Sequence, residues 1–143
     1  MAHHCEAALV TCVDFRLHQR PDGRNCIAEF LRRLGLDCDV ISRAGGIQDL
    51  VRPHGGSDQA LVRDLEVSVD LHEAGRLLLV NHADCGAYAW MGGSPDEERA
   101  QHIEDLRAAR ALLSRRFPRV QISLFFAELV PGTADEFAVQ PMQ

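Results

Sequence analysis

Apolar residues along the chain follow two patterns: short unbroken runs, and longer segments in which they recur every three or four positions. The short runs predict four β-strands, at Ala7 to Val13, Asp37 to Ser42, Leu77 to Val80 and Val120 to Ala127. The longer segments predict three helices, at Asn25 to Leu34, Ser57 to Gly75 and Ser94 to Phe117. Because strands alternate with helices, we predict the α/β class, with a mostly parallel four- to five-stranded sheet flanked by helices.

Local signals predict where these elements begin and end. Ser94 and Glu97 form a capping pair, which is the strongest local signal in the chain. Proline and glycine residues predict a loop from Gln48 to Gly56, and Ser57 is expected to cap the helix that follows. The segment beyond Ala127 is predicted to contain at most one short further element.

Length and composition favour a single domain. A chain of 143 residues, with 46% hydrophobic and 25% charged side chains, can bury one core without the help of disulfides. We therefore predict that residues 1–143 form one domain.

Charge and hydropathy argue against two classes of partner. The net charge is -6, lysine is absent and the basic residues are scattered, so we predict no nucleic-acid binding. No apolar run approaches the ~20 residues of a membrane span, and the amino end lacks the pattern of a signal peptide. We therefore predict no membrane association and a cytoplasmic location.

Five cysteines without regular spacing indicate free thiols or metal ligands rather than a disulfide framework. Cys26 and Cys38 occur in apolar patterns and are predicted to be small core residues. His3, His4 and Cys5 are metal-binding residue types, but a short terminal segment is more often disordered. We assign no site to that segment.

Three other side chains occur where a metal site could form. His82 and Cys85 follow the third predicted strand with two residues between them, and Cys12 lies at the end of the first. The carboxyl ends of parallel strands share one edge of the sheet, where ligands bind. Two thiolates and one imidazole suit zinc, and three protein ligands leave a fourth position, as in catalytic zinc sites. The alternative is two core thiols and a satisfied buried histidine, and the additional cysteine at a strand end favours the metal.

Asp14 and Arg16 follow Cys12 at alternating positions, which in a strand-like exit would place the three side chains on one side. An arginine beside a carboxylate keeps it ionised and fixes its orientation. Such a carboxylate could accept a hydrogen bond from a metal-bound water or bind the metal itself. The alternative is an ordinary surface ion pair.

These residues resemble the motifs of the β-class carbonic anhydrases. The matching segments are Cys12-x-Asp14-x-Arg16, Arg43-Ala44-Gly45-Gly46 and His82-x-Asp84-Cys85-Gly86-Ala87, in that order. The resemblance implies the β-carbonic-anhydrase fold, with Zn²⁺ bound by Cys12, His82 and Cys85. It implies that Asp14 and Arg16 are the catalytic dyad, in which Asp14 orients a metal-bound hydroxide and Arg16 holds Asp14.

The resemblance also implies an activity and an assembly. The activity is the reversible hydration of carbon dioxide to bicarbonate, and the assembly is a homodimer or an assembly of dimers. The chain has Phe15 where serine is usual in the family and Asn81 where glycine is usual. Two alternatives therefore stay open. One is a carbon disulfide or carbonyl sulfide hydrolase of the same fold; the other is a zinc-holding binding module without turnover, with its pocket occluded by Phe15 or with Asp14 permanently on zinc.

Overall fold

The computed structural model describes residues 3–143, so Met1 and Ala2 lie outside the described residues. Its centre is a five-stranded sheet in the order β2-β1-β3-β4-β5. The strands are β1 (Ala7–Thr11), β2 (Cys38–Ser42), β3 (Arg76–His82), β4 (Gln121–Leu129) and β5 (Phe137–Met142). The first four strands run parallel and β5 pairs antiparallel with β4. The predicted α/β class and mostly parallel sheet are confirmed.

Within residues 3–143, four α-helices accompany the sheet: α1 (Cys26–Leu34), α2 (Gln48–Val51), α3 (Ser57–Glu66) and α4 (Pro95–Arg116). A π-helical segment, Val67–Leu71, continues α3. The side chains of Asn25 and Ser94 cap α1 and α4 by accepting hydrogen bonds from backbone amides of the first turn. Gly35 ends α1 in the left-handed conformation, with φ of 67°. Within residues 3–143, no helix has the length and apolar character needed to cross a membrane.

Two hydrophobic cores lie on opposite faces of the sheet, because successive side chains of a strand point to opposite sides. One core contains Val10 of β1 together with Leu65 and Leu106 from the helices α3 and α4. The other contains Leu9 of β1 and Phe30 of α1. Burial on both faces explains why the central strands are almost continuous apolar runs.

The parallel pairing of β1 with β3 fixes where the candidate site residues emerge. Val10 lies opposite Leu79 in the register of the two strands. Cys12 and His82, two and three residues further along, therefore leave the sheet at the same edge. The antiparallel strand β5 begins at this edge as well, because Phe137 pairs with the last residue of β4.

The segment predicted as a loop, Gln48 to Gly56, begins with the short helix α2. A four-residue helix is too short to show a 3.6-residue periodicity, which is why the sequence pattern missed it. The expected cap at Ser57 is also corrected. Gly56 occupies the cap position without a side-chain bond, and the Ser57 hydroxyl accepts from the backbone N–H of His54 at 2.8 Å.

Two further expectations need correction. Cys26 and Cys38 are half-buried at the margin of the second core rather than inside it. The chain after Cys12 is not strand-like, because Phe15–Leu17 forms a turn of 3₁₀ helix that the Asp14 side chain caps. Asp14 and Arg16 are thus brought together by a tight turn, not by alternation along an extended strand.

Candidate metal centre

Cys12, His82 and Cys85 converge at the carboxyl edge of the sheet. All three are buried, and the atoms that could bind a metal lie within 4.8 Å of one another. His82 is the last residue of β3, and Cys12 lies one residue beyond β1. The three side chains singled out from the sequence are therefore brought into one cluster.

The donor atoms are spaced as a zinc site requires. The sulfur atoms of Cys12 and Cys85 are 3.9 Å apart, which is too far for a disulfide, whose S–S distance is about 2.05 Å. Two thiolates on one tetrahedral zinc, with Zn–S of about 2.3 Å, would be separated by roughly 3.8 Å. The residues present therefore fit a zinc ion.

The tautomer of His82 also suits a metal ligand. Its Nδ1 lies 2.8 Å from the carbonyl oxygen of Ala83, which can only accept, so Nδ1 carries the proton. Within residues 3–143, the buried Nε2 has no hydrogen-bond partner. A buried polar atom without a partner is costly, and a ligating imidazole typically donates its other N–H to a carbonyl in this way.

The thiol pair is polarised before any metal binds. A hydrogen bond from Cys85 and the neighbouring His82 ring lower the pKa of the Cys12 thiol, while the adjacent Cys12 sulfur and burial raise the pKa of Cys85. The backbone N–H of Gly45 also donates to the Cys12 sulfur at 3.4 Å. Cys12 is therefore the first of the two thiols to ionise, and the thiolate is the form that binds a metal.

Asp14 and Arg16 form a bidentate ion pair beside this cluster. Arg16 donates from Nε to Oδ1 of Asp14 at 3.0 Å and from Nη2 to Oδ2 at 2.7 Å. These bonds hold the pKa of the Asp14 carboxyl below its usual value, so it is ionised at neutral pH. Oδ2 of Asp14 lies 3.9 Å from Nε2 of His82, so the carboxylate faces the candidate metal position.

Arg16 is held from its other side by groups that the sequence did not reveal. Its Nη1 donates to the Asp84 carboxylate at 3.0 Å and to the carbonyl of Ala134 at 2.9 Å, and Nη2 donates to the carbonyl of Asp84. The guanidinium also lies 5.2 Å from the centre of the Phe137 ring. The segment that contains Ala134 and Phe137 thus holds the Arg16 side chain in place, and Arg16 in turn orients Asp14.

The Arg43 to Gly46 segment contributes backbone rather than its charged side chain. Gly45 and Gly46 have φ of 78° and 60°, and a side chain at Gly46 would collide with Oδ1 of Asn81. Glycine therefore permits the close approach that the sequence suggested. The Arg43 side chain pairs with Asp49 at 2.8 Å.

A buried polar chain, missed from the sequence, connects β3 to the loop of Cys85. Asn81 donates through Nδ2 to Nδ1 of His102 at 2.9 Å, which leaves the ring proton on Nε2, 3.2 Å from Oε2 of Glu98. The same Glu98 oxygen accepts the backbone N–H of Cys85 at 3.2 Å. Glu98 and His102 are four residues apart on α4, and this spacing was the available signal in the sequence.

A second buried group centres on Asp105, which is 3% exposed. Its carboxylate accepts hydrogen bonds from the Tyr88 hydroxyl at 2.6 Å and from Gln101 at 3.0 Å. Arg52 donates to both oxygens, at 3.2 Å for Nη1 to Oδ1. Tyr88 is therefore a core residue rather than part of an open pocket, whereas Phe15 and Trp90 are exposed.

We expect His102 to contribute to acid destabilisation. Burial lowers its pKa to about 3, against about 6.5 in an unfolded chain, so between these values the unfolded state binds a proton that the folded state does not. Stability therefore falls as the pH drops through this range. From pH 7 to pH 5 the loss from this group is about 2 kcal/mol in the free energy of unfolding.

The test is denaturant unfolding at pH 7 and pH 5 for the wild type and for His102→Gln, which keeps a neutral polar side chain. The variant should lose less stability on acidification. The titratable and charged groups around His102, namely His82, Glu98, Asp105, Arg52 and Tyr88, are unchanged in it. An equal loss in both proteins would show that His102 does not titrate as expected.

Comparison with known proteins agrees with this architecture. A family model described as "Putative carbonic anhydrase" matches residues 2–134. Uncharacterized proteins of Rickettsia bellii and Rickettsia conorii are 29% and 27% identical to this chain. Each alignment covers 85% of this chain, with 75% of the first relative and 66% of the second.

Solved structures of β-carbonic anhydrases share the fold. A carbonic anhydrase from Streptococcus mutans aligns with a TM-score of 0.62 at 20% identity, covering 99% of this chain and 84% of that one. Tetrameric β-carbonic anhydrases from Sordaria macrospora align with a TM-score of 0.64 at 12% identity, covering 99% and 82%. At these identities the likeness concerns the fold alone.

Proposed function

This chain belongs to the carbonic anhydrase family that its matching family model describes, and from that premise we propose that it catalyses the reversible hydration of carbon dioxide to bicarbonate with Zn²⁺ as cofactor. Cys12, His82 and Cys85 would hold the zinc. The observation that carries the proposal is the buried cluster of two thiols and one imidazole, with an ionised carboxylate facing the unpartnered Nε2 of His82.

Zinc in a site with three protein ligands supplies Lewis-acid activation of water near neutral pH. The residues of the chain would do the rest. Asp14 accepts two hydrogen bonds from the Arg16 side chain and a third from its backbone N–H, so its remaining lone pairs point in a fixed direction and can accept a hydrogen bond beside the metal. Arg16 would act as a positioning residue, because its side chain donates to oxygen atoms of Asp14, Asp84 and Ala134 and to neither sulfur atom.

An open site is favoured over one in which Asp14 binds the metal. The cluster whose ligand atoms lie within 4.8 Å of one another consists of Cys12, His82 and Cys85, and Asp14 is outside it. The module without turnover would need either Asp14 on zinc or a pocket occluded by Phe15. The Phe15 side chain is 68% exposed and lies beside Arg20, 5.3 Å from ring centre to guanidinium, which favours the enzyme.

The proposed assembly is a homodimer or an assembly of dimers. The solved Sordaria macrospora relatives are tetrameric, which supports an assembly of this kind. The molar mass in solution, measured by light scattering at several concentrations, would test it. A mass of about one chain at all concentrations would contradict the proposed assembly.

The activity is tested by stopped-flow hydration of carbon dioxide with zinc-loaded protein between about pH 7 and 9, where a zinc-bound water is expected to titrate. Zinc-dependent activity should rise with pH. Asp14→Asn, which keeps the shape but removes the charge, should lower kcat by about 10- to 100-fold, the range typical for a lost partner of a metal site.

Asp84→Asn is the matched control for Asp14→Asn. It also removes a carboxylate that pairs with Arg16, but its side chain is 69% exposed, and exposed pairs contribute little. Most activity should remain in this variant. No hydration by the zinc-loaded wild type would contradict the proposal; hydrolysis of carbon disulfide or carbonyl sulfide would then identify the alternative enzyme, and zinc held without either activity would identify the binding module.

A further inference from the structure

A second group of metal-binding side chains lies at the opposite edge of the sheet. Cys5, Asp39 and His72 each offer an atom that could bind a metal, and these atoms lie within 4.8 Å of one another. They come from three separate parts of the chain. Cys5 precedes β1, Asp39 lies in β2, and His72 follows the helical segment after α3. The fold has therefore assembled a thiol, a carboxylate and an imidazole at one place.

The backbone and the neighbouring polar groups hold this arrangement. The N–H of Cys5 donates to the carbonyl of His72 at 3.1 Å, which ties the thiol to the histidine. Oδ2 of Asp39 contacts Nδ1 of His72 at 2.5 Å and accepts from the Ser68 hydroxyl at 2.8 Å. The donor atoms are thus positioned by contacts that do not depend on a metal.

The group is distinct from the candidate centre at the carboxyl edge. Cys5 precedes β1 and Cys12 follows it, seven residues further along the chain. At about 3.3 Å per residue of strand, the two thiols are separated by roughly 20 Å. One ion cannot bridge them.

His3 places a second imidazole beside His72. The Nε2 atoms of the two rings are 3.1 Å apart, with ring centres separated by 4.7 Å. This contact involves Nε2 of His72, whereas Asp39 faces Nδ1 of the same ring, so His3 lies beside the group but on the side of the ring away from the Asp39 carboxylate. Cys5, to which the sequence pattern alone assigned no site, belongs to the group itself.

We propose that Cys5, Asp39 and His72 form a second, partly exposed site for a zinc-type divalent cation, in which His72 would bind through Nδ1, the nitrogen that faces Asp39. One thiolate, one carboxylate and one imidazole are ligands suited to zinc and similar borderline metals, and three protein ligands leave a fourth position for water. Without a cation, the same atoms would form only an Asp39–His72 ion pair, with the Cys5 thiol donating to the carbonyl of Ala7 at 3.3 Å. If the group is a cation site, Zn²⁺ should protect the Cys5 thiol from alkylation; if it is only an ion pair beside a free thiol, Zn²⁺ should not.

The test is alkylation of the full chain, without a purification tag and stripped of metal, in the presence and absence of Zn²⁺. Tandem mass spectrometry of the tryptic peptide from residue 1 to Arg16 separates modification at Cys5 from modification at Cys12. Zn²⁺ should slow the alkylation of Cys5. Cys26 provides an internal control because it is a half-buried thiol on α1 outside both clusters, so its alkylation should not depend on Zn²⁺.

Two variants make the assignment specific. Asp39→Asn keeps the shape of the side chain, and His72→Ala removes the ring. In each variant, the Zn²⁺ concentration that halves the alkylation rate of Cys5 should rise by about 10- to 100-fold or more. Protection of Cys85, read on a different peptide, reports the first centre independently and should not change. The proposal is overturned if Zn²⁺ leaves the alkylation of Cys5 unaltered, or if protection of Cys5 persists in both variants.

Discussion

Replacing His82 with alanine is expected to reduce zinc-dependent hydration of carbon dioxide to the rate of protein-free buffer. The substitution removes the only imidazole in the cluster formed by Cys12, His82 and Cys85. Two thiols alone would leave the ion with an incomplete set of protein ligands. Stopped-flow hydration with variant protein exposed to Zn²⁺ under the wild-type loading conditions measures the effect.

His54→Ala is the matched control, because it removes an exposed histidine that lies outside the cluster. It should keep wild-type activity. The alkylation of Cys12 and Cys85 adds a readout independent of turnover: Zn²⁺ should protect both in the control and neither in His82→Ala. Full hydration by His82→Ala would contradict the proposed ligand set.

Replacing Asp105 with alanine is expected to lower the free energy of unfolding by about 3 kcal/mol. The buried carboxylate accepts from Tyr88, Gln101 and Arg52, so its removal leaves buried donors without a partner. An unsatisfied buried donor costs about 1–3 kcal/mol, and a broken buried ion pair costs more. Arg52 is 34% exposed and recovers part of this cost from water. Urea unfolding at pH 7 measures the difference.

The control for Asp105→Ala is Glu128→Ala, which breaks an ion pair with Arg99 in which both side chains are about 40% exposed. Exposed pairs contribute about 0–1 kcal/mol, so the loss should be correspondingly small. A loss in Asp105→Ala no larger than in Glu128→Ala would mean that the buried network adds little to stability.

The sequence predicted most of the parallel sheet because its signals are local. The aliphatic run of β3 and the serine cap of α4 each depend on a few neighbouring residues. The order of the strands was not predicted, but the carboxyl ends of parallel strands share one edge of the sheet in any order. Cys12 and His82 were therefore expected at that edge, which is why the candidate ligands could be found without coordinates.

Contacts between distant segments could not be predicted in this way. The fifth strand was expected only as a possible short element, and its antiparallel pairing with β4 brings Ala134 and Phe137 against Arg16. The hydrogen bond from Asn81 to His102 likewise joins β3 to α4. A periodic pattern cannot predict such pairs, because the two partners are single residues far apart in the sequence.

Asp14 and Arg16 were correctly expected to lie together, but the geometry expected for the chain after β1 was wrong. Alternation in an extended strand was expected to place Asp14 and Arg16 on one side. The chain instead makes a tight 3₁₀ turn, and the Asp14 side chain accepts from the backbone N–H of Arg16 at 2.9 Å. A side-chain cap of this kind is typical of aspartate at a turn, so the signal was present but was assigned to the other pattern.

The cytoplasmic location stays a prediction.

Anomalous diffraction at the zinc edge, from crystals of the zinc-loaded protein, would test the proposed metal centre most directly. The expected result is a peak about 2.3 Å from the sulfur atoms of Cys12 and Cys85 and about 2.0–2.1 Å from Nε2 of His82. Zinc found only elsewhere in the protein, or the two sulfur atoms joined in a disulfide at about 2.05 Å, would contradict it.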